Sequence, residues 1–324
     1  MIFTSKSFTF SAMIFTIILF GLYSHVIINH KMLYMNVEYA MWHYARDMSH
    51  SRGDEHYNFI TLGDSRIKSA FIPQEFDDEN LNSLNLSLGG SSTIEGYYTL
   101  KKYLENHEAP EYVLLGYSPG ILSQQPFYWE RTVKFQYLTD EEYNEVESLS
   151  ATLDNHETLG DGNYLDYKIY TGKFITDFIN GMTEFRWTAN ALMFEDLHVS
   201  KGHYYFGTNE GATGRSFEAT VDDFQLSKLL DKYIEMTISM AQEAGTTVYW
   251  YTPPVNTASI DLITPEYKKG YGDYMDKLEQ EHGVIVLSRI HDVENKHFSD
   301  SHHLYRGAPM VTHAIKAAFL AAQK

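Results

Sequence analysis

The stretch Tyr57-Asn-Phe-Ile-Thr-Leu-Gly-Asp-Ser-Arg66 combines a short apolar run with a polar turn. The run Tyr57–Leu62 is rich in aromatic and β-branched residues, which favours a β-strand, and Gly63 ends it. A serine at a strand-to-helix turn projects its hydroxyl over the edge of a sheet, where neighbouring backbone N–H groups point to the same place. Gly63-Asp64-Ser65-Arg66 is therefore a candidate nucleophile turn, although Gly-Asp-Ser alone often occurs by chance.

Four more short apolar runs follow, and each ends in turn residues. They are Leu84–Leu88 before Gly89-Gly90, Tyr112–Leu115 before Gly116, Thr246–Tyr251 before Pro253-Pro254, and Val284–Leu287. Helices are predicted between the strands. A capping box at Ser92 and Glu95 begins one helix, and apolar residues at helical spacing from Leu226 to Ile234 indicate a second. Thr264-Pro265 is the expected N-cap and first residue of a third, and residues 307–322 are the expected terminal helix. The alternation predicts an α/β fold with a parallel sheet of about five strands, covered by helices on both faces.

The N-terminal segment predicts a membrane anchor over residues 1–30. No Asp, Glu, Lys or Arg lies between Ser7 and Asn29, and this length is enough to cross a bilayer core of roughly 30 Å. A cleaved signal peptide and a buried soluble helix are the alternatives, but no Ala-x-Ala cleavage site follows. One lysine lies on each side of the run, Lys6 before it and Lys31 after it, so the positive-inside rule gives almost no indication of its orientation.

The rest of the chain divides into a membrane-proximal segment, 31–56, and a catalytic domain, 57–324. Within that domain, residues of about 121–220 break the strand–helix alternation and are aromatic and acidic. This insertion either walls a substrate cleft or is simply a packed subdomain.

The amino-acid composition excludes several classes of function. The net charge of −18 argues against nucleic acid, because phosphate binding needs clustered Lys and Arg. The chain has no cysteine, which excludes thiol catalysis, disulfides and Cys-based zinc sites.

A second candidate block is Asp300-Ser-His-His303, just before the terminal helix. An Asp and a His three residues apart at a loop that enters a helix can meet, with the carboxylate bound to one imidazole nitrogen. The other nitrogen is then free to take a proton from a serine.

The two blocks together resemble the SGNH hydrolase superfamily, in which Gly-Asp-Ser follows the first strand and Asp-x-x-His precedes the last helix. The resemblance implies a three-layer α/β/α flavodoxin-like fold and a catalytic triad of Ser65, Asp300 and His303. It places the oxyanion donors at the backbone of Ser65 and of Gly89 or Gly90. Side chains that line the cleft are then expected to be Asp64, Arg66, Tyr117, Ser118 and Asn256.

One departure from the family concerns its third block, which usually carries Gly-x-Asn after the third strand. Here that place is Gly116-Tyr-Ser-Pro-Gly120, without Asn. This departure, the anchor and Pro253-Pro-Val-Asn256 are similar to the DltD-like and alginate-acetylation-like branch. Members of that branch work outside the membrane beside a membrane-bound O-acyltransferase and move acyl groups onto cell-envelope polymers.

Two other sites remain possible from the residues. Gly116-Tyr-Ser118-Pro-Gly120 satisfies the G-x-S-x-G nucleophile elbow, but that oxyanion hole needs the N–H of the next residue, and Pro119 has none. His291, Asp292, His297, Asp300, His302 and His303 also crowd one segment, as in zinc or manganese sites, but no helical His-x-x-x-His pattern appears.

The sequence therefore predicts serine-dependent acyl transfer from an acyl donor to a carbohydrate or polyol hydroxyl, without a metal or another cofactor. The enzyme is expected in the cell membrane as a single-pass protein with its catalytic domain outside the cytoplasm. An esterase that removes acyl groups, or a non-catalytic assembly subunit with the same fold, are the alternatives.

Overall fold

The computed structural model describes residues 5–53, 55–168 and 172–324. Residues 1–4 of the predicted anchor, residue 54 of the membrane-proximal segment and residues 169–171 of the insertion lie outside the described residues. The chain forms two compact units. The first unit is Met1–Ala40 with Asn163–Met193, and the second is Met41–Gly162 with Phe194–Lys324.

The regular elements follow the predicted alternation. The strands are β1 (Phe59–Gly63), β2 (Ser83–Asn85), β3 (Tyr112–Gly116), β4 (Thr247–Tyr251), β5 (Val255–Asn256), β6 (Ile285–Ser288) and β7 (Asp292–Val293). The α-helices are α1 (Ser5–Asn29), α2 (Glu38–His50), α3 (Ser65–Ala70), α4 (Pro73–Phe76), α5 (Thr93–Asn106), α6 (Asp140–Leu153), α7 (Leu165–Lys168), α8 (Gly172–Thr183), α9 (Arg186–Val199), α10 (Lys228–Glu243), α11 (Thr257–Ile260), α12 (Pro265–His282) and α13 (Ala308–Ala322). Short 3-10 helices cover Lys31–Leu33, Pro119–Leu122, Phe217–Ala219 and Asn295–His297, and a π-helical segment covers Tyr128–Val133.

The main sheet has five strands in the order β2-β1-β3-β4-β6, and every neighbouring pair is parallel. The predicted α/β fold with five parallel strands is confirmed. The second strand is shorter than predicted and ends at Asn85, but the chain still runs beside β1, because Leu86 N donates to Thr61 O and Leu88 N to Gly63 O at 2.9 and 3.0 Å. Strands β5 and β7 form a separate parallel pair.

The ends of β1 and β3 approach unusually closely. Gly63 and Gly116 are paired in the sheet, and a Cβ on Gly63 would lie 2.0 Å from Gly116 O. Ile67 of α3 fills the space beside both glycines, 2.3 Å from that Cβ position and 2.6 Å from the one on Gly116. Glycine is needed at these positions because any side chain would force the two strand ends and α3 apart.

Helices α3, α4 and α13 pack together on the sheet. Their shared core contains Phe59 and Tyr249 from the strands, Ile67 from α3, and Phe319 from α13. The ring of Phe319 contacts those of Phe59 and Tyr249 at centroid distances of 5.2 and 5.1 Å. Helices α5 and α10 pack against each other and against β1 and β4.

Two helix starts confirm the capping signals in the sequence. Ser92 and Glu95 form the capping box of α5. Thr264 caps α12, whose first residue is Pro265.

The first unit contains α1, which is long and apolar enough over Ser7–Asn29 to cross a membrane by length and composition. Helices α8 and α9 pack near its C-terminal end. The ring of Phe178 lies 5.5 Å from that of Tyr23. Asn190 Nδ2 donates to Met32 O at 2.9 Å and to Met35 O at 3.0 Å.

A buried lysine, Lys68, lies on α3 behind the Gly-Asp-Ser turn. Its Nζ donates to Ser87 O at 2.9 Å and to Gly202 O at 2.8 Å. Burial lowers the pKa of Lys68 from 10.5 to about 7. Between these two pH values, Lys68 is therefore protonated in the unfolded chain and deprotonated in the folded chain.

Lys68→Met is expected to flatten the pH dependence of stability. In the wild type, the free energy of unfolding should rise as pH increases from about 7 towards about 10, because the unfolded state binds more protons in that window. The variant loses this rise, and it also loses two hydrogen bonds at every pH. Urea unfolding at a series of pH values measures the slope. The exposed Lys228→Met is the control, and an unchanged slope in Lys68→Met would contradict the expectation.

Candidate functional site

The candidate residues all follow strands of one parallel sheet. Ser65 comes after β1 and Ser118 after β3. Asn256 is the last residue of β5 in the segment after β4, and the block from Asp300 to His303 follows β7 in the segment after β6. Because the carboxyl ends of parallel strands share one edge, these segments begin at the same edge of the sheet. In the order β2-β1-β3-β4-β6 the chain reverses its direction of winding between β1 and β3, which is where open α/β sheets bind ligands.

The carboxylate of Asp64 joins the ends of β1 and β3. Asp64 caps α3, with Oδ1 accepting from Arg66 N at 2.9 Å. Its Oδ2 accepts from Ser118 N at 2.8 Å and from Ser118 Oγ at 2.5 Å. Asp64, Arg66 and Ser118 are buried, whereas Ser65 between them is partly exposed. Buried hydrogen bonds therefore fix the turn on both sides of Ser65, which is the partly exposed residue of the three-residue turn Asp64-Ser65-Arg66.

Arg66 lies in a buried ion pair that sequence reasoning did not find. Its Nη2 contacts both carboxylate oxygens of Glu218 at 2.9 Å, and Glu218 Oε1 also accepts from Gly120 N at 3.1 Å. Burial acts to raise the pKa of Glu218, but the Arg66 charge holds it below its usual value. Because 152 residues separate the partners, no local pattern indicates the pair. It connects the Gly-Asp-Ser turn to the end of the insertion and to the loop after β3.

Asp300 and His303 form the predicted pair. Asp300 Oδ2 lies 2.6 Å from His303 Nδ1, and Oδ1 accepts from the backbone N–H groups of His302 and His303 at 2.9 and 2.8 Å. Because the carboxylate is an acceptor, Nδ1 carries the proton and donates it. The other nitrogen, Nε2, is buried and has no hydrogen-bond partner among the described residues. This second nitrogen is the one positioned to exchange a proton with another group, as a general base requires.

Asp300 and His302, the two ionisable neighbours of His303, each have one protonation state at neutral pH. Burial acts to raise the pKa of Asp300, but the hydrogen bond and charge of His303 hold it well below its usual range. Asp300 is therefore a carboxylate. Burial, followed by the charges of His303 and Arg66, lowers the pKa of His302 to about 3, so His302 is neutral.

The predicted oxyanion glycines lie beside the end of β1. Ser91 Oγ donates to Gly63 O at 3.2 Å, which holds this loop to the strand. Gly90 has a φ of +69°, a conformation that favours glycine. Trp42 Nε1 donates to Gly89 O at 3.2 Å. Within the described part of the chain, the N–H groups of Gly89 and Gly90 donate to no protein acceptor.

Phe206 covers the histidine. Its ring stacks on that of His303 at a centroid distance of 4.4 Å and an interplanar angle of 21°. A Cβ on Gly89 would lie 2.9 Å from Cε1 of the same ring. The glycine loop and His303 therefore share one neighbour. Across the residues that the structure describes, no hydrogen bond joins Ser65 to His303.

All five residues that the sequence predicts to line the cleft are buried, namely Asp64, Arg66, Tyr117, Ser118 and Asn256. Tyr117 packs into the core, and a Cβ on Gly96 of α5 would lie 1.9 Å from its hydroxyl. Asn256 Nδ2 donates to Gly214 O at 2.8 Å and to Ser301 O at 3.3 Å. Asn256 thus holds the loop that carries Asp300 and His303.

The same loop has donor atoms in the arrangement of a cation site. Asp300, His302 and His303 each offer one ligand atom, and these atoms lie within 4.8 Å of one another. The pair already described competes with such a site, because both oxygens of Asp300 accept hydrogen bonds. A cation bound through His303 Nδ1 would replace the bond to Asp300.

Asp64→Asn is expected to lower the free energy of unfolding by about 1–3 kcal/mol, because the new amide group would oppose N–H and O–H donors in a buried site. Ser118→Ala removes one hydroxyl donor and should cost about 0.5–1.5 kcal/mol. Urea unfolding followed by tryptophan fluorescence compares the two variants with the wild type. Equal stability of Asp64→Asn and the wild type would show that Asp64 does not hold the two strand ends together.

Searches against protein-family models and against curated proteins find no match to this chain. The geometry of the site is therefore the basis for assigning its chemistry.

Proposed function

We propose that the protein is a serine acyl-transfer enzyme of the SGNH type, with Ser65 as nucleophile, His303 as general base and Asp300 as the group that orients it. The observation that carries this proposal is the Asp300–His303 pair, whose second nitrogen, Nε2, is buried and unpaired. A partly exposed serine at a hydrogen-bonded helix start follows another strand of the same main sheet. These are the three roles of a serine triad.

The strand order supports the finer assignment of the fold. The order β2-β1-β3-β4-β6 corresponds to the flavodoxin-like doubly wound arrangement. In the proposal this sheet is the central layer of a three-layer α/β/α SGNH domain, and the site lies at its switch point.

The proposed reaction has two balanced steps. His303 Nε2 takes the proton of Ser65 Oγ while Oγ bonds to the acyl carbonyl carbon. The donor's carbon–oxygen bond then breaks, and its leaving alkoxide takes the proton from His303. In the second step, His303 deprotonates an acceptor hydroxyl, whose oxygen bonds to the acyl carbon. The bond from that carbon to Ser65 Oγ then breaks, and Oγ takes the proton back from His303. Asp300 stabilises the imidazolium formed in each step.

Backbone groups supply the proposed oxyanion hole. The N–H groups of Ser65 and of Gly89 or Gly90 stabilise the negative charge of the tetrahedral intermediate. Ser118 stands where the family usually carries Asn, but its hydroxyl is bound to Asp64. Ser118 therefore does not replace that Asn as an oxyanion donor, and backbone N–H groups supply most of the stabilisation of the oxyanion.

The proposed setting is the outer face of a cell membrane, with α1 as a single-pass anchor. The acyl acceptor is a hydroxyl of a cell-surface polysaccharide or teichoic-acid-type polymer, and a membrane-bound O-acyltransferase is the proposed partner. The apolar length of α1 supports the anchor. Two alternatives remain. An esterase that transfers the acyl group to water would use the same triad, whereas a non-catalytic assembly subunit would need none of the triad residues.

Ser65→Ala should lose at least about a thousandfold in the rate of ester cleavage and should no longer react with a fluorophosphonate probe, because no other side chain replaces the nucleophile. Ser118→Ala is the matched control and should keep most of its activity, since Ser118 is buried and precedes Pro119. Rates with p-nitrophenyl acetate, with and without an added polyol, distinguish transfer from hydrolysis. Activity that depends on Ser118 and not on Ser65 would contradict the proposal.

The two adjacent histidines should behave differently. His303→Ala is expected to lose at least about a hundredfold in rate because it removes the general base. Asp300→Asn should fall between that variant and the wild type, and His302→Ala should lose little. The rates are measured for all three variants, with and without a chelator. A loss of activity in His302→Ala together with inhibition by the chelator would favour a metal site over the triad.

A further inference from the structure

The segment formed by α8, α9 and the turn between them exposes apolar side chains that no described residue of their own unit covers. Six of them, each 49–66% exposed, form what we call the apolar ridge: Ile175, Ile179, Met182, Phe185, Trp187 and Leu192. They fall within 18 consecutive residues of the sequence. Isolated exposed hydrophobic residues need no explanation, but a concentration of this kind marks an interaction surface.

The ridge is not the core-facing side of α8. Ile175, Ile179 and Met182 lie at positions i, i+4 and i+7, which share one face of a helix. The adjacent face, with Phe174, Phe178 and Gly181 at the same spacing, is the one that packs inside the unit. Phe174 is fully buried, and a Cβ on Gly181 would lie 2.4 Å from Cα of Tyr34. The helix is therefore apolar on a second face that the protein leaves open.

The helices that carry the ridge pack against the end of the candidate membrane span. Phe178 contacts Tyr23, which is in the last two turns of α1. Arg186 Nη1 donates to Tyr34 O at 3.3 Å, and Asn190 binds the carbonyls of Met32 and Met35. These contacts lie on both sides of Asn29, where the span ends.

The length of α1 sets the depth of these contacts. The 23 residues of Ser7–Asn29 extend about 35 Å, slightly more than the roughly 30 Å of a bilayer core. Residues just before and just after Asn29 then lie at the boundary between acyl chains and headgroups. Tryptophan and other aromatic residues concentrate at that boundary, and amphipathic helices lie in its plane.

We propose that the apolar ridge lies in the headgroup–acyl boundary of the bilayer that α1 crosses, so that α8 and α9 form a second membrane contact. The occupant of the ridge is lipid, because the helices that carry the ridge contact the C-terminal end of the span and the residues after it within one compact unit. This inference rests on the proposed anchor. Its consequence is that the unit carrying α1 is held to the membrane surface along two helices and does not hang from the anchor alone.

The absence of cysteine from the chain makes the test direct, because a single introduced cysteine takes the only label. Ile179→Cys and Met182→Cys probe the ridge. Ile18→Cys, within the span, and Lys269→Cys, 77% exposed on α12, are the controls. Each full-length variant is labelled with an NBD fluorophore and reconstituted in phosphatidylcholine–phosphatidylglycerol vesicles that contain a shallow or a deep nitroxide lipid.

The expected result is a blue-shifted emission at positions 179 and 182, with stronger quenching by the shallow than by the deep nitroxide. The label at 18 should be quenched more by the deep nitroxide, and the label at 269 by neither. Labels at 179 and 182 that resemble the label at 269, while position 18 is quenched, would overturn the ridge proposal and leave the anchor standing. Protection of 179 and 182 only in native membranes would assign the ridge to a protein partner and also overturn it. An unquenched label at 18 would refute the anchor and, with it, the ridge.

Discussion

The carboxylate of Asp64 is the interaction on which the candidate site depends. It caps α3 after β1 and binds both the N–H and the hydroxyl of Ser118 after β3. Two glycines beneath it, Gly63 and Gly116, let the strand ends approach to a distance that no side chain permits. Because these contacts are buried, they fix the turn on both sides of Ser65 while leaving Ser65 itself partly exposed. The position of the serine is thus a consequence of packing at the switch point of the sheet.

The histidine side of the site is fixed by a separate set of contacts. Asn256 holds the carbonyl of Ser301, and Asp300 binds the next two backbone N–H groups before it binds the imidazole. Phe206 then covers the face of His303. The aromatic neighbour limits water around the ring, and hydrogen bonds to charged groups are stronger in such surroundings. The same ring also lies against the glycine loop at Gly89, so His303 and that loop share one aromatic neighbour.

Local signals in the sequence predicted the parts of this structure that depend on neighbours along the chain. The strand before Gly63, the capping box at Ser92 and Glu95, and the start of α12 at Pro265 were all predictable, because each follows from propensity and capping within a few residues. The Asp300–His303 contact was also predictable from its spacing of three. Long-range contacts were not. No residue near Arg66 in the sequence indicates its partner Glu218, and no pattern in the insertion indicates that residues 163–193 pack with α1. The burial of the side chains expected to line the cleft was also not predictable, because sequence order does not reveal the direction of a side chain.

The central claim is that Ser65 carries the acyl group between donor and acceptor. It is tested most directly by mixing the protein with p-nitrophenyl acetate, quenching in acid during turnover, and locating the acyl group by peptide mass spectrometry. The account predicts one acetyl group on the peptide that contains Ser65, which disappears when a polyol acceptor is added and is absent from Ser65→Ala. Acetylation of Ser118 instead, or turnover without any acylated peptide, would contradict it.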